Sequence, residues 1–189
     1  LAGTEMPDTG TIRIPEGWHS AMLSPDPYVI TWTSVQRNVA MACGVGKTPE
    51  ERYERASEFV RLVGLEDYAD LTPVELSTGM KQRLGLARVL AGQAELLLMD
   101  EPYGQMDIKM RFFLEDEVIK LWKATGVTVL FITHNLEEAV YLAERVLVLS
   151  AKPATIKAQV PINIERPRKV SDPAFIEVRK QITDMIKWW

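Results

Sequence analysis

The run Leu96-Leu97-Leu98-Met99-Asp100-Glu101-Pro102 joins four consecutive apolar residues to two carboxylates. This is the pattern of a buried strand that delivers charge to one edge of a sheet. Sheets of α/β proteins take their ligands beyond the carboxyl ends of such strands. The chemistry expected there is nucleotide hydrolysis: Asp100 holds magnesium directly or through water, and Glu101 orients an attacking water and takes its proton. Taken alone, the run describes a strand followed by an acidic helix cap equally well. Three further segments add to it. Leu76-Ser77-Thr78-Gly79-Met80 opens a helical stretch, with Ser77 supplying a hydroxyl and Gly79 an unobstructed N–H at a positive helix end where an anion could dock. Its plain alternative is a serine-capped helix. Pro102-Tyr103-Gly104-Gln105-Met106-Asp107 follows the carboxylates and also reads as a turn with an N-cap. Phe131-Ile132-Thr133-His134 ends an apolar strand with an imidazole on the edge expected for Asp100 and Glu101, although an isolated histidine is more often structural.

Those groups need elements to hold them. Thr48 as N-cap, Pro49 at the first position, Glu51 completing a capping box and Gly64 as a stop predict a helix with Tyr53, Ala56 and Val60 on one face. A second helix is predicted from about Met80 to Ala91, with Met80, Leu84, Ala87 and Leu90 inward and Gly92 as its stop. A third starts from the N-cap Asp107, carries Met110, Phe113, Leu114, Val118, Leu121 and Trp122 at helical spacing, and ends at Gly126. Val127 to Thr133 reads as another buried strand, Leu136 to Ala143 as a helix and Arg145 to Ser150 as a strand. Thr155 to Ile164 alternates like a peripheral strand or hairpin, and Val178, Ile182, Met185 and Ile186 mark a C-terminal helix. Near the start, Thr11 to Ile14 reads as a short strand, whereas Ser24 to Trp32, rich in proline, reads as loop. Strands alternating with helices imply a parallel sheet. The paired Trp188-Trp189 fits core, a partner surface or an end effect.

Composition bounds the function. The chain has 189 residues, 47% hydrophobic and 25% charged, enough to bury a core as one domain with a small subdomain. Its net charge of -4 lacks the clustered basic excess of a nucleic-acid binder, so nucleic acid is not an expected partner. A single cysteine, Cys43, excludes an internal disulfide, and two histidines exclude a histidine-rich metal centre; a reducing compartment fits. Apolar runs such as Val127 to Ile132 fall far short of the roughly 18 residues of a membrane span, so membrane contact is expected through a partner.

In order and spacing, the chain resembles the nucleotide-binding domains of ABC transporters. Leu76 to Met80 is similar to the signature loop, usually Leu-Ser-Gly-Gly-Gln, with Thr78 and Met80 as substitutions. Leu96 to Glu101 resembles the Walker B strand, Gly104 to Asp107 the D-loop, and His134 the switch histidine. Asp100-Glu101-Pro102-Tyr103-Gly104, the phrase Glu138 to Arg145, and the tail Val160 to Arg168 resemble the nitrate, sulfonate and taurine importer branch. The resemblance implies an α/β fold: a parallel-sheet, P-loop NTPase-like core with a helical signature subdomain, its N-terminal strands and phosphate loop missing. The expected divisions are a core remnant at 1–24, the helical signature subdomain at 25–92, the ATPase core at 93–152 and a peripheral strand or hairpin with a helix at 153–189. It also implies ATP and Mg2+ as cofactors, with Glu101 as catalytic base, His134 sensing the γ-phosphate and Asp100 supporting the metal. Ser77, Thr78, Gly79 and Met80 would contact ATP held by a second ATPase subunit, identical or different, and Asp107 would couple the two. The implied partners are transmembrane permease subunits and, indirectly, a solute-binding protein outside the membrane, which places the chain at the cytoplasmic membrane face.

Two departures stand against the pattern. The phosphate loop Gly-x-x-x-x-Gly-Lys-Ser/Thr is absent from these residues: Gly46-Lys47-Thr48 imitates its end, but Met41 stands at the first glycine and Pro49 opens an ordinary helix. Because Leu-Ala-Gly closes the helix after that loop in the family, Leu1-Ala2-Gly3 implies that the loop was cut away just upstream, and weak or no turnover is expected from this exact chain. In addition, Pro25 falls where the family's magnesium-contacting glutamine stands, and Gln36 lies too far along to replace it. The favoured expectation is an ATPase subunit of an importer for nitrate, sulfonate, taurine or a related small solute. The alternative is a degenerate, non-catalytic module that pairs with an intact partner. Soluble ABC proteins of translation or chromosome maintenance are disfavoured by the phrase from Glu138 to Arg145.

Overall fold

The computed structural model describes residues 2–44 and 48–186; Leu1, Gly46-Lys47 and Trp188-Trp189 lie outside the described residues. The chain divides into two compact units, Leu1–Ile132 and Thr133–Trp189.

The first unit is built on a parallel sheet. β1 (Ser20–Leu23), β2 (Leu96–Asp100) and β3 (Thr128–Ile132) lie in the order β1-β2-β3, with Leu98 between Met22 and Leu130 in register. Leu96 to Met99 are all buried, which is why this strand reads as an unbroken apolar run. The helices of this unit are α1 (Val35–Ala42), α2 (Pro49–Leu62), α3 (Thr78–Ala91) and α4 (Ile108–Thr125). The expected caps are in place. Thr48 and Glu51 form the capping box of α2, Ser77 caps α3, Asp107 caps α4, and Gly126 ends α4 at φ 68°, a left-handed conformation that glycine adopts without a Cβ penalty. Gly85 of α3 allows a close approach of another kind, since a Cβ there would lie 2.4 Å from the Pro27 ring.

Two expectations about the strands are corrected. Thr11 to Ile14 is not a strand: the run is short, closed by Pro15, exposed, and unpaired with any strand among the described residues. The edge strand is Ser20–Leu23, of weak strand character, recruited by pairing. The Leu96 amide donates to the His19 carbonyl at 3.2 Å, and the His19 amide donates to the Glu95 carboxylate at 2.8 Å. β3 is not buried, because among the described residues it pairs on one side only and leaves Leu130 40% and Ile132 58% exposed. On the helices, Tyr53, placed on one face with Ala56 and Val60, and Phe113, placed at helical spacing, are both 46% exposed. α1 buries Gln36 and Asn38 together with Val35, Val39 and Ala40.

In the second unit α5 (Leu136–Leu142) leads to β4 (Arg145–Leu149), which pairs antiparallel with β5 (Ile156–Pro161) as a sheet of its own rather than extending a parallel one; α6 (Pro173–Ile186) follows. The short connection from β4 to β5 permits only a hairpin, since a parallel return needs a crossover. Val140, Val148, Val160, Ile162, Phe175 and Ile182 form its core, with Val178, Met185 and Ile186 packed against it. Arg168 holds this unit from within. Its Nε donates to Ile164 O at 2.9 Å, Nη1 to the carbonyls of Val140, Tyr141 and Ala143 at 2.7, 3.0 and 2.6 Å, and Nη2 to Ile162 O at 3.3 Å. Burial pushes its guanidinium down to about 10, a cost these carbonyls offset while leaving it charged at neutral pH. An ammonium lacks the planar fork that serves so many acceptors at once. Arg168→Lys is therefore expected to destabilise this unit by about 2–4 kcal/mol through orphaned buried carbonyls. Urea unfolding followed at Val140 and Ala143 amides measures it, and a loss below about 0.5 kcal/mol would refute the hub.

Candidate active site in the first unit

The chemistry-bearing residues of the first unit collect on the turn that follows β2. Asp100 ends the strand opposite Ile132, and the Glu101 amide donates to the Ile132 carbonyl at 2.9 Å, so the turn is tied to the end of β3 as it leaves β2. Glu101 accommodates this with φ 48°, a left-handed conformation that costs a non-glycine residue about 1 kcal/mol. The loop then folds on itself: the Gly104 amide donates to Glu101 O at 3.3 Å and the Met106 amide to Tyr103 O at 3.1 Å. Tyr103 anchors it from below, 2% exposed, with its ring centroid 6.4 Å from that of Phe131. At the far end Asp107 accepts the Met110 amide at 2.9 Å as the cap of α4.

The signature segment meets this loop. Ser77 accepts the Met80 amide at 3.3 Å, while the first turn of α3 leaves the Thr78 and Gly79 amides directed out of the helix end. A Cβ on Gly79 would lie 2.9 Å from the Gln105 carbonyl, so only glycine permits this approach without displacing backbone. Deeper in α3, the buried Gln82 amide donates to the Pro102 carbonyl at 3.3 Å. A cavity of about 230 Å³ opens between Ser77, Gly79, Met80 and Arg83 on one side and Gln105, Met106, Asp107 and Met110 on the other. Three of the residues expected to contact nucleotide, Ser77, Gly79 and Met80, thus line one pocket together with Asp107, the expected coupling residue; Thr78 is exposed and does not line it.

Asp100 is half-buried at the carboxyl edge of the sheet. No three histidine, cysteine or acidic side chains gather into a metal cage among the described residues. A lone hard carboxylate suits magnesium, which keeps several waters and phosphate oxygens in its shell and does not need a protein cage. His134 belongs to the second unit, exposed in the turn that leads into α5.

Sequence reasoning missed several residues that organise the surroundings. Asn38, fully buried, donates to Ile30 O at 2.9 Å and to both oxygens of Thr33, and its own oxygen accepts from the Ile30 amide and from Arg88 at 2.8 Å each. It pins the loop after Pro25 to α1 and α3. Gln36 spends its amide on Tyr53 O and Ser57 Oγ, both at 2.7 Å. Arg83 reaches Val63 O and Gly64 O, each at 2.9 Å, and closes the end of α2. Only Arg83 had a signal in the sequence, as a cation one helical turn beyond a capped start.

A family model described as ABC transporter matches residues 1–104. A nitrate import ATP-binding protein of Synechocystis sp. is 34% identical over 99% of this chain and 76% of its own length. A taurine import ATP-binding protein of Pseudomonas aeruginosa is 36% identical over 97% of this chain and 76% of its own length. Among solved structures, a dimeric ATP-binding cassette in a post-hydrolysis state with ADP and Pi superposes with a TM-score of 0.70 at 26% identity, over 77% of this chain and 64% of that one. This chain therefore spans less than two thirds of the solved cassette. No helix among the described residues is long and apolar enough to cross a membrane.

The contact between α3 and the carboxylate loop generates a prediction. Gly79→Ala is expected to push the Gln105 carbonyl away and to speed amide exchange at Gly104 and Met106 about fivefold or more. Unchanged exchange at both would show that the loop does not lean on α3.

Proposed function

The chain belongs to the ABC transporter family of ATP-binding proteins, and from that premise we propose that it works as the ATP-binding and ATP-hydrolysing subunit of an importer for nitrate, sulfonate, taurine or a related small solute. The observation that supports this most directly is the pocket in which a glycine-bearing helix N-terminus faces the loop that starts at Glu101 and ends at Asp107. Such a site has little covalent chemistry to perform; positioning and electrostatics supply the rate. In the proposed roles Glu101 takes a proton from the attacking water, Asp100 holds magnesium, and His134 contacts the γ-phosphate. Magnesium, when bound, neutralises charge developing on the phosphate oxygens. Ser77, Thr78, Gly79 and Met80 contact the nucleotide of a second ATPase subunit, and Asp107 stands at the junction of the two. Permease subunits receive the resulting motion, which places the chain at the cytoplasmic face of the membrane. Nitrate and sulfonate are both small oxyanions, and their selection is assigned to the permease and solute-binding partners.

The reading is tested on the full protein assembled with its permease. Glu101→Gln, which keeps shape and removes basicity, is expected to lower kcat for magnesium-dependent ATP hydrolysis by about 10²-fold or more, with ATP affinity held within about threefold. Turnover at the unsubstituted rate would remove Glu101 from the role of base.

A further inference from the structure

Glu138 stands on the first turn of α5 and is only 6% exposed, a costly position for a carboxylate unless its oxygens are engaged. They are engaged by the two residues that flank His134. Thr133 Oγ1 donates to Glu138 Oε2 at 2.7 Å, and Asn135 Nδ2 donates to Oε1 at 3.1 Å. The ring closes on itself, because the Asn135 amide donates to Thr133 Oγ1 at 2.9 Å. Asn135 Oδ1 in turn accepts the Glu137 amide at 3.0 Å and so caps α5. His134 is therefore the exposed middle residue of a three-residue turn whose two neighbours are both held by one buried carboxylate.

We propose that Glu138 is a positioning residue for His134: it clamps Thr133 and Asn135 so that the imidazole leaves the turn in a single direction. A helix cap alone needs only the Asn135 contact to the Glu137 amide; the Thr133 contact lies outside the helix and restrains the turn itself. The arrangement also uses charge well, since a carboxylate in the first helical turn is favoured by the helix dipole. That the positioned imidazole serves a phosphoryl group rests on the proposed function, whereas the clamp does not.

The test uses isosteric changes in the whole chain. Thr133→Val removes the hydroxyl at constant shape, Thr133→Ser restores it, and Glu138→Gln keeps the length while changing one acceptor oxygen to a donor. The chain has two histidines, so the ring resonances of His134 are identified against His19. Thr133→Val and Glu138→Gln are expected to speed exchange of the Asn135 amide about tenfold and to shift the His134 ring resonances with His19 unmoved, while Thr133→Ser stays within about twofold of the parent. Unmoved ring resonances in the valine variant, or a serine variant as loose as valine, would overturn the clamp. So would loosening spread evenly through α5, which is the mark of a lost cap. In the assembled transporter the valine variant is then expected to lose about tenfold in kcat with KM for ATP within about twofold. A loosened turn with unchanged kcat would uphold the clamp and count against the role of His134 in hydrolysis.

Discussion

The hydrogen bond from the Glu101 amide to the Ile132 carbonyl is the constraint on which the first unit's chemistry depends. A central parallel strand is hydrogen-bonded along both edges, so it has no freedom to place its last residues until it leaves the sheet. Here the departure is itself a ladder contact, made with Glu101 in a left-handed backbone conformation. The strain is small beside what surrounds it: Tyr103 is buried beneath the loop, and Gln82 holds the Pro102 carbonyl. The direction in which the loop leaves is thereby set before any ligand arrives, as preorganised electrostatic catalysis requires.

The helices serve that loop through polar contacts that a purely apolar core could not supply. α3 is fixed twice, through Gly79 against the Gln105 carbonyl and through Gln82 beneath Pro102. Around it, Arg83 ties α3 to the end of α2, while Asn38 and Arg88 tie it to α1 and the preceding loop. Each of these groups is buried or half-buried and would cost stability if one partner were lost. The same directional bonds that make them costly also specify one relative placement of α1, α2 and α3, which apolar packing alone would leave freer to slide.

How much of this the sequence disclosed depends on whether a feature is local. The capping box of Thr48 and Glu51, the Ser77 and Asp107 caps and the Gly126 stop involve residues a few positions apart, and each is legible because backbone and side chain satisfy one another within a single turn. β2 is legible because a strand buried on both faces shows its environment in composition. β1 is illegible for the opposite reason: Ser20–Leu23 becomes a strand by pairing with a segment far away in sequence. The exposure of β3 depends on its place at the edge, which an apolar run does not reveal. Asn38 and Gln36 sit on buried faces where a reader of periodicity assigns solvent, since a polar residue is acceptable in a core only when partners exist, and partners are a property of the fold. The site residues fall between these cases. Ser77, Gly79, Met80 and Asp107 were named from motif order, but the close approach that makes Gly79 necessary appears only when α3 meets the Gln105 carbonyl.

The charges of this pocket bear on how a nucleotide is to be held in the proposed reading. Its one acidic member is Asp107, while Arg83 and the N-terminal end of α3, where Ser77 already accepts the Met80 amide, are its anion-attracting elements; Asp100 and Glu101 lie outside its lining, at the end of β2 and the start of the loop. A polyphosphate placed there alone would meet one carboxylate and one guanidinium, and the chain's net charge of -4 adds no long-range attraction. In the proposed reading, binding through these residues favours a nucleotide whose charge is already shared by a bound cation and by further phosphate-contacting groups. Such a surface is suited to closing over a nucleotide held elsewhere. The α3 end that carries the Thr78 and Gly79 amides is braced against the loop following Glu101, through Gly79 at the Gln105 carbonyl and Gln82 at the Pro102 carbonyl, so a displacement of that helix end would be felt along the loop.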